Sequence, residues 1–123
     1  MLNSMRMAVM ASNTLTFKDP SYTPLQFTDA LYLATLGGAG LLDRQDLGSL
    51  DCGKKADLLL VDMNGKGKIV IYLLFISTIP SAQSNTRLFG SESSEDIVSK
   101  FVFLSDDRNI KTVWVDGQIV KKS

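Results

Sequence analysis

The chain has 123 residues, enough for one small domain, and balances 13 basic against 13 acidic side chains. That balance offers neither the basic patch that holds nucleic acid nor a solvating acidic tail. Its single cysteine, Cys52, excludes an internal disulfide and fits a reducing compartment.

The first fifteen residues hold no continuous apolar h-region, because Asn3, Ser4, Arg6, Ser12 and Asn13 interrupt it, so no signal peptide is read. They predict an amphipathic helix over residues 2–15, with Leu2, Met5, Ala8 and Val9 at helical spacing. The methionines of this helix fit a core face better than a metal box. Residues 13–21, polar and carrying Pro20, read as a loop. A second helix is predicted over residues 24–36. Thr23 is its N-cap, Pro24 its first position, Gln26 the residue that returns a bond to the cap, and Tyr22 and Phe27 its staple. Phe27, Ala30, Leu31 and Ala34 share one face. Gly37-Gly38 either breaks the helix or lets another backbone come close.

Gly53-Lys54-Lys55 looks like part of a phosphate loop, but Gly48 stands one position too late for G-x-x-x-x-G-K. Lys55 also occupies the Ser/Thr position, so a polar turn before a strand is the better reading. Residues 56–62 follow as a buried strand. Residues 69–79 are β-branched and aromatic and read as another strand. They are also the one strongly apolar run, about half of the ~20 residues a membrane helix needs. Ser93-Ser94-Glu95-Asp96 resembles a capping box opening a helix with Ile97, Phe101 and Leu104 inward. Asp106, Asp107, Arg108 and Asn109 invite an acid–base reading. A loop whose arginine pairs with a carboxylate, and whose Asp or Asn caps the turn, accounts for them better. Asp116-Gly117 between residues 112–115 and 118–120 predicts a type I′ hairpin. Trp114 could be a stacking platform; a strand-face packing role suits it better.

Two blocks carry a family resemblance. The first is Ala34-Thr35-Leu36-Gly37-Gly38-Ala39, then Leu47-Gly48-Ser49-Leu50, then Gly53-Lys54-Lys55-Ala56-Asp57-Leu58-Leu59-Leu60-Val61-Asp62. It is similar to the tail of amidohydrolases, with the spacer before Leu47 about one residue short. The second, Lys100-Phe101 with Asp106-Asp107-Arg108-Asn109-Ile110 and the strands after them, resembles the C-terminal end of the guanine deaminase family within that superfamily. The resemblance covers residues 1–64 and 84–123. It implies an α/β fold class, in which residues 1–45 are the last helices outside a (β/α)₈ barrel and residues 46–123 are part of a small composite β-sandwich. It further implies a C-terminal fragment of a zinc-dependent guanine deaminase, which hydrolyses guanine to xanthine and ammonia in purine catabolism. The family's zinc ligands are several histidines and one aspartate. The chain has no histidine, and its first helix corresponds to the helix after that aspartate. No catalytic, substrate-binding or metal residue is therefore assigned, and this chain alone is expected to bind no zinc and to be inactive. The resemblance implies the missing N-terminal barrel as partner, a homodimer when full length, and a cytoplasmic setting, with neither nucleic acid nor membrane. The alternative is a non-catalytic interaction module or pseudoenzyme fragment.

Residues 66–83, KGKIVIYLLFISTIPSAQ, depart from the family, where a polar linker is expected. The bland reading is an extra sandwich strand. The sharper reading is a retained intron. Gly-Lys at 65–66 can be encoded GGT-AAG, residues 73–81 can be pyrimidine-rich, and Gln83 can be CAG. Deleting the segment leaves a linker of ordinary length.

Overall fold

The computed structural model describes residues 1–63, 70–72, 75–77, 86, 88–89 and 91–122. Among these residues four α-helices come in chain order: α1 (Leu2–Leu15), α2 (Phe27–Ala34), α3 (Leu36–Leu41) and α4 (Ser94–Leu104). The described residues also form five strands: β1 (Leu58–Val61), β2 (Val70–Tyr72), β3 (Phe75–Ser77), β4 (Ile110–Val115) and β5 (Gln118–Lys122). Mixed helix and strand content is as expected. The main sheet is antiparallel, ordered β1-β4-β5, while β2 and β3 pair in a separate two-stranded ribbon.

One apolar cluster joins the elements. Met5 and Val9 of α1, Ala30 of α2, Val61 and Met63 at the end of β1, and Ile97, Phe101 and Val102 of α4 meet in it. Each of the larger side chains withdrawn from water contributes roughly 1.5–3 kcal/mol, and Ala30 less. Arg6 adds a polar tie between α1 and α4. Its Nε donates to the Val102 carbonyl at 2.6 Å and its Nη2 to the Ser105 carbonyl. A cation there satisfies end-of-helix carbonyls and faces the negative end of the helix dipole.

The first helix runs over the expected residues, but only Met5 among its methionines is buried, with Met7 and Met10 exposed. Ser12, which breaks the apolar stripe, is buried because its hydroxyl is used. It contacts the Tyr22 hydroxyl at 3.0 Å and accepts from the Leu25 amide at 2.9 Å. That tether holds residues 22–25 against α1 and delays the second helix. The N-cap is therefore Gln26 and not Thr23, with the Asp29 carboxylate accepting from the Gln26 amide at 2.8 Å. Tyr22 bonds α1 rather than serving as a staple.

The helix also ends earlier than expected. Thr35 leaves helical geometry, and Gly37 and Gly38 lie inside α3. The glycines admit a close approach: a Cβ on Gly38 would sit 2.8 Å from the Leu33 carbonyl oxygen, and one on Gly37 2.8 Å from Tyr32. Of the two roles considered for the pair, close approach is the one observed.

In place of the single strand expected at 69–79, the described residues there form two short strands, β2 and β3, paired antiparallel with Ile71 opposite Ile76. The rest of the 66–83 segment lies outside the described residues. The hairpin after β4 forms as read, with φ of 51° at Asp116 and 78° at Gly117, as a type I′ turn requires. Ser93 caps α4, its hydroxyl accepting from the Asp96 amide at 3.1 Å. Ile97 and Phe101 point inward, but Leu104 is exposed and Val102 takes the inner position.

Candidate functional site

Three places could carry chemistry: the loop after α4, the turn before β1, and a cleft between the helices and the main sheet.

In the loop, Ser105 is extended and Asp106 caps a single 3₁₀ turn, Asp107–Asn109. The Asp106 carboxylate accepts from the Arg108 amide at 3.0 Å and pairs with the guanidinium at 2.6 Å. This hydrogen bond from Arg108 holds the Asp106 carboxyl below the usual carboxylate range, against a smaller opposing effect of burial. A carboxylate so held is a poor proton acceptor near neutrality. Asn109 is fully buried and entirely engaged. Its Nδ2 donates to the Asp62 carbonyl at 2.7 Å and its Oδ1 accepts from the Asp106 amide at 3.0 Å. The Asp62 amide returns a bond to the Asn109 carbonyl at 2.7 Å. The arginine–carboxylate pair and the turn cap are those the sequence indicated; the fastening of the end of β1 to the start of β4 through Asn109 is not.

Before β1, Lys54 donates to the Ser49 hydroxyl at 2.6 Å, and Lys55 pairs with Asp116 at 3.2 Å. Both lysines are committed to local partners, and a strand follows rather than the helix N-terminus a phosphate loop needs. Nearby, Arg44 meets Asp46 through two bonds of 2.7 Å, and this hydrogen bonding lowers the Asp46 carboxyl to about 2.

The cleft measures about 600 Å³ and lies between α1, the end of α2 and the β1–β4 surface. Leu2, Leu31, Leu58, Val113 and half-buried Trp114 give it an apolar wall. Trp114 stands on β4 opposite Leu58 and Ile119, so it is a strand-face residue that also borders this space. Arg6 and Asn109 carry contacts that the sequence reading did not assign. The available signals were a lone cation on an apolar helix face and an amide side chain next to buried strand residues.

A zinc centre needs about four converging N, S or O donors. The chain holds no histidine, and among the described residues no three His, Cys, Asp or Glu side chains are grouped to hold a metal. Cys52 is exposed. The donor set of the described residues does not fit a zinc centre.

A profile of the amidohydrolase family matches residues 1–120. The chain is 35% identical over 122 residues to the probable guanine deaminase of Schizosaccharomyces pombe, covering 97% of this chain and 20% of that protein. It is 30% identical over 121 residues to the guanine deaminase of Dictyostelium discoideum, covering 98% of this chain and 23% of that protein. With the guanine deaminase of Homo sapiens it shares 34% over 121 residues, 98% of this chain and 24% of that protein. The chain therefore spans about a fifth to a quarter of the length of these relatives.

Proposed function

The chain belongs to the amidohydrolase family, and from that premise we propose that it is the C-terminal part of a zinc-dependent guanine deaminase. The carrying observation is the near end-to-end match to proteins named guanine deaminase, of which this chain answers to only 20–24%. In this reading the reaction, guanine to xanthine and ammonia, belongs to the whole enzyme, a cytoplasmic homodimer of purine catabolism. The zinc ligands and substrate contacts come from the remainder of the polypeptide. Residues 1–45 cover the flank of the barrel, and residues 46–123 contribute to the β-sandwich beside it. The chain's role is mechanical: it braces the strand ends that hold the active site.

Residues 66–83 are, in this reading, translated intron. The hairpin of β2 and β3 is not part of the main sheet, and a family linker needs no such ribbon. A second reading, an interaction module, draws on the apolar side chains left at the surface, among them Leu41 at 85% and Leu42 at 74% exposed. The test is the gene and its transcripts. The proposal expects an open frame before Met1 that encodes an aspartate shortly upstream, and mature messages joining codon 65 to codon 84. Messages that uniformly keep the segment, or codons lacking GT and AG at its ends, overturn the intron. A stop codon in frame immediately before Met1 in every transcript overturns the enzyme reading and favours the module.

A further inference from the structure

The tip of the β4–β5 hairpin carries the one Asp-Gly pair in the sequence, Asp116-Gly117, and the Asp116 side chain is 63% exposed. An aspartate followed by glycine can close on itself. The glycine nitrogen attacks the carbon of the protonated side-chain carboxyl, and an N–C bond forms. The carboxyl hydroxyl leaves as water with the proton of the nitrogen, and a five-membered succinimide results. Water then opens the ring at either carbonyl. One opening returns aspartate; the other leaves isoaspartate, in which the main chain runs through the side-chain carboxyl. Glycine favours the attack because no Cβ crowds its nitrogen. This chemistry needs neither zinc nor the rest of the polypeptide.

The fold holds the pair away from that ring. The Gly117 nitrogen donates to the Ala56 carbonyl at 3.0 Å, so its hydrogen is engaged. The Asp116 amide donates to the Asp57 carboxylate at 2.8 Å. Lys55 Nζ meets the Asp116 carboxylate at 3.2 Å. The three partners are consecutive residues just ahead of β1. An exposed ion pair restrains little, so the bonds from the two backbone nitrogens carry most of the restraint. The turn adds to it. With φ of 51° and 78° it is type I′, and ring closure requires the backbone at Asp116 to rotate out of that form. We propose that Asp116 is a site of spontaneous isoaspartate formation, and that residues 55–57 are a clasp that keeps it unreacted while the hairpin is closed. The rate then follows the fraction of time the turn stands open. The product adds a methylene to the main chain between Val115 and Gly117. A two-residue turn no longer fits, and β5 loses the register in which Gln118 faces Val115 and Ile119 faces Trp114.

The test ages the full chain at neutral pH, below the onset of unfolding, both folded and in guanidinium chloride. Trypsin then releases residues 112–121, and chromatography against synthetic aspartyl and isoaspartyl peptides measures the two forms. Isoaspartate should accumulate at Asp116 at least tenfold more slowly in the folded chain than in the unfolded one. Asp57→Ala removes the acceptor of the Asp116 amide and should speed the folded chain at least threefold. Asp57→Asn keeps a side-chain oxygen that can accept and should hold the slow rate. Equal rates for the folded and unfolded chain, or Asp57→Ala ageing no faster than the unsubstituted chain, overturn the clasp. No isoaspartate at Asp116 in the unfolded chain overturns the site itself. Trp114 fluorescence shows whether each variant folds. If Asp57→Ala does not, the comparison of the folded and unfolded unsubstituted chain decides the matter.

Discussion

Asn109 shows how one residue can fix a junction. Its side chain and backbone hold the end of β1 through Asp62, and its amide oxygen holds the Asp106 amide. Asn109→Ala leaves the Asp62 carbonyl and the Asp106 amide without these partners in a dry site, at a cost of about 2 kcal/mol. Asp107→Asn, in the same turn but exposed, should change stability by less than about 0.5 kcal/mol. Urea titration followed by Trp114 fluorescence measures both, and equal midpoints for the two variants would contradict the buried network. Arg44 and Asp46 make a different kind of pair. Both are exposed, so its worth is small, but its pH sense is definite. The Asp46 carboxyl falls from 3.8 to about 2 on folding because Arg44 hydrogen-bonds the charged form. Its stabilisation is complete above the unfolded value and disappears as pH falls through the folded one. An NMR titration of the Asp46 carboxyl carbon should show a midpoint near 2, and Arg44→Ala should return it towards the ordinary carboxylate range.

Helix starts divide into those decided locally and those decided by distant contacts. At α4 the capping box is self-contained, Ser93 and Asp96 satisfying each other's amides. Ser93→Ala should therefore cost about 1 kcal/mol. Thr23→Ala should cost almost nothing, because Gln26 and Asp29 begin α2. Amide hydrogen exchange in the first turn of each helix reads the difference, and a loss at α2 in Thr23→Ala would restore the earlier cap. The sequence showed the α4 cap, the Asp116-Gly117 turn and the reach of α1, all of which depend on neighbours in the chain. It did not show the delay of α2, because that depends on Ser12 reaching Tyr22 and Leu25 across the fold. Nor did it show that Leu104 faces outward. Spacing by three or four residues cannot tell Val102 from Leu104 once the helix has two candidate partners, α1 and α2. At the candidate site, the Asp106–Arg108 pairing was legible because the two lie two residues apart. The Arg6 contacts with the end of α4 were not, since they span almost the whole chain.

Among the described residues the buried core is small beside the apolar surface left exposed. Eight described side chains form the buried cluster, while Met10, Leu33, Leu41, Leu42 and Phe103 stay open to solvent. A chain of this length buries only about two-thirds of its unfolded surface, and the apolar side chains left exposed lower the share here. The isolated chain should therefore unfold over a broad temperature range and bind ANS. A sharp transition with a monomeric elution profile would favour the interaction module.

The central claim is that the chain belongs to a guanine deaminase whose chemistry is supplied by the remainder of the polypeptide. The direct measurement is guanine loss followed at its ultraviolet band, with zinc supplied, for the purified chain alone and for the chain assembled with the complementary part of a relative. The account predicts no turnover above the buffer blank from the chain alone and turnover from the assembly. Turnover that tracks the isolated chain through purification, or a stable assembly that leaves guanine untouched, would contradict it.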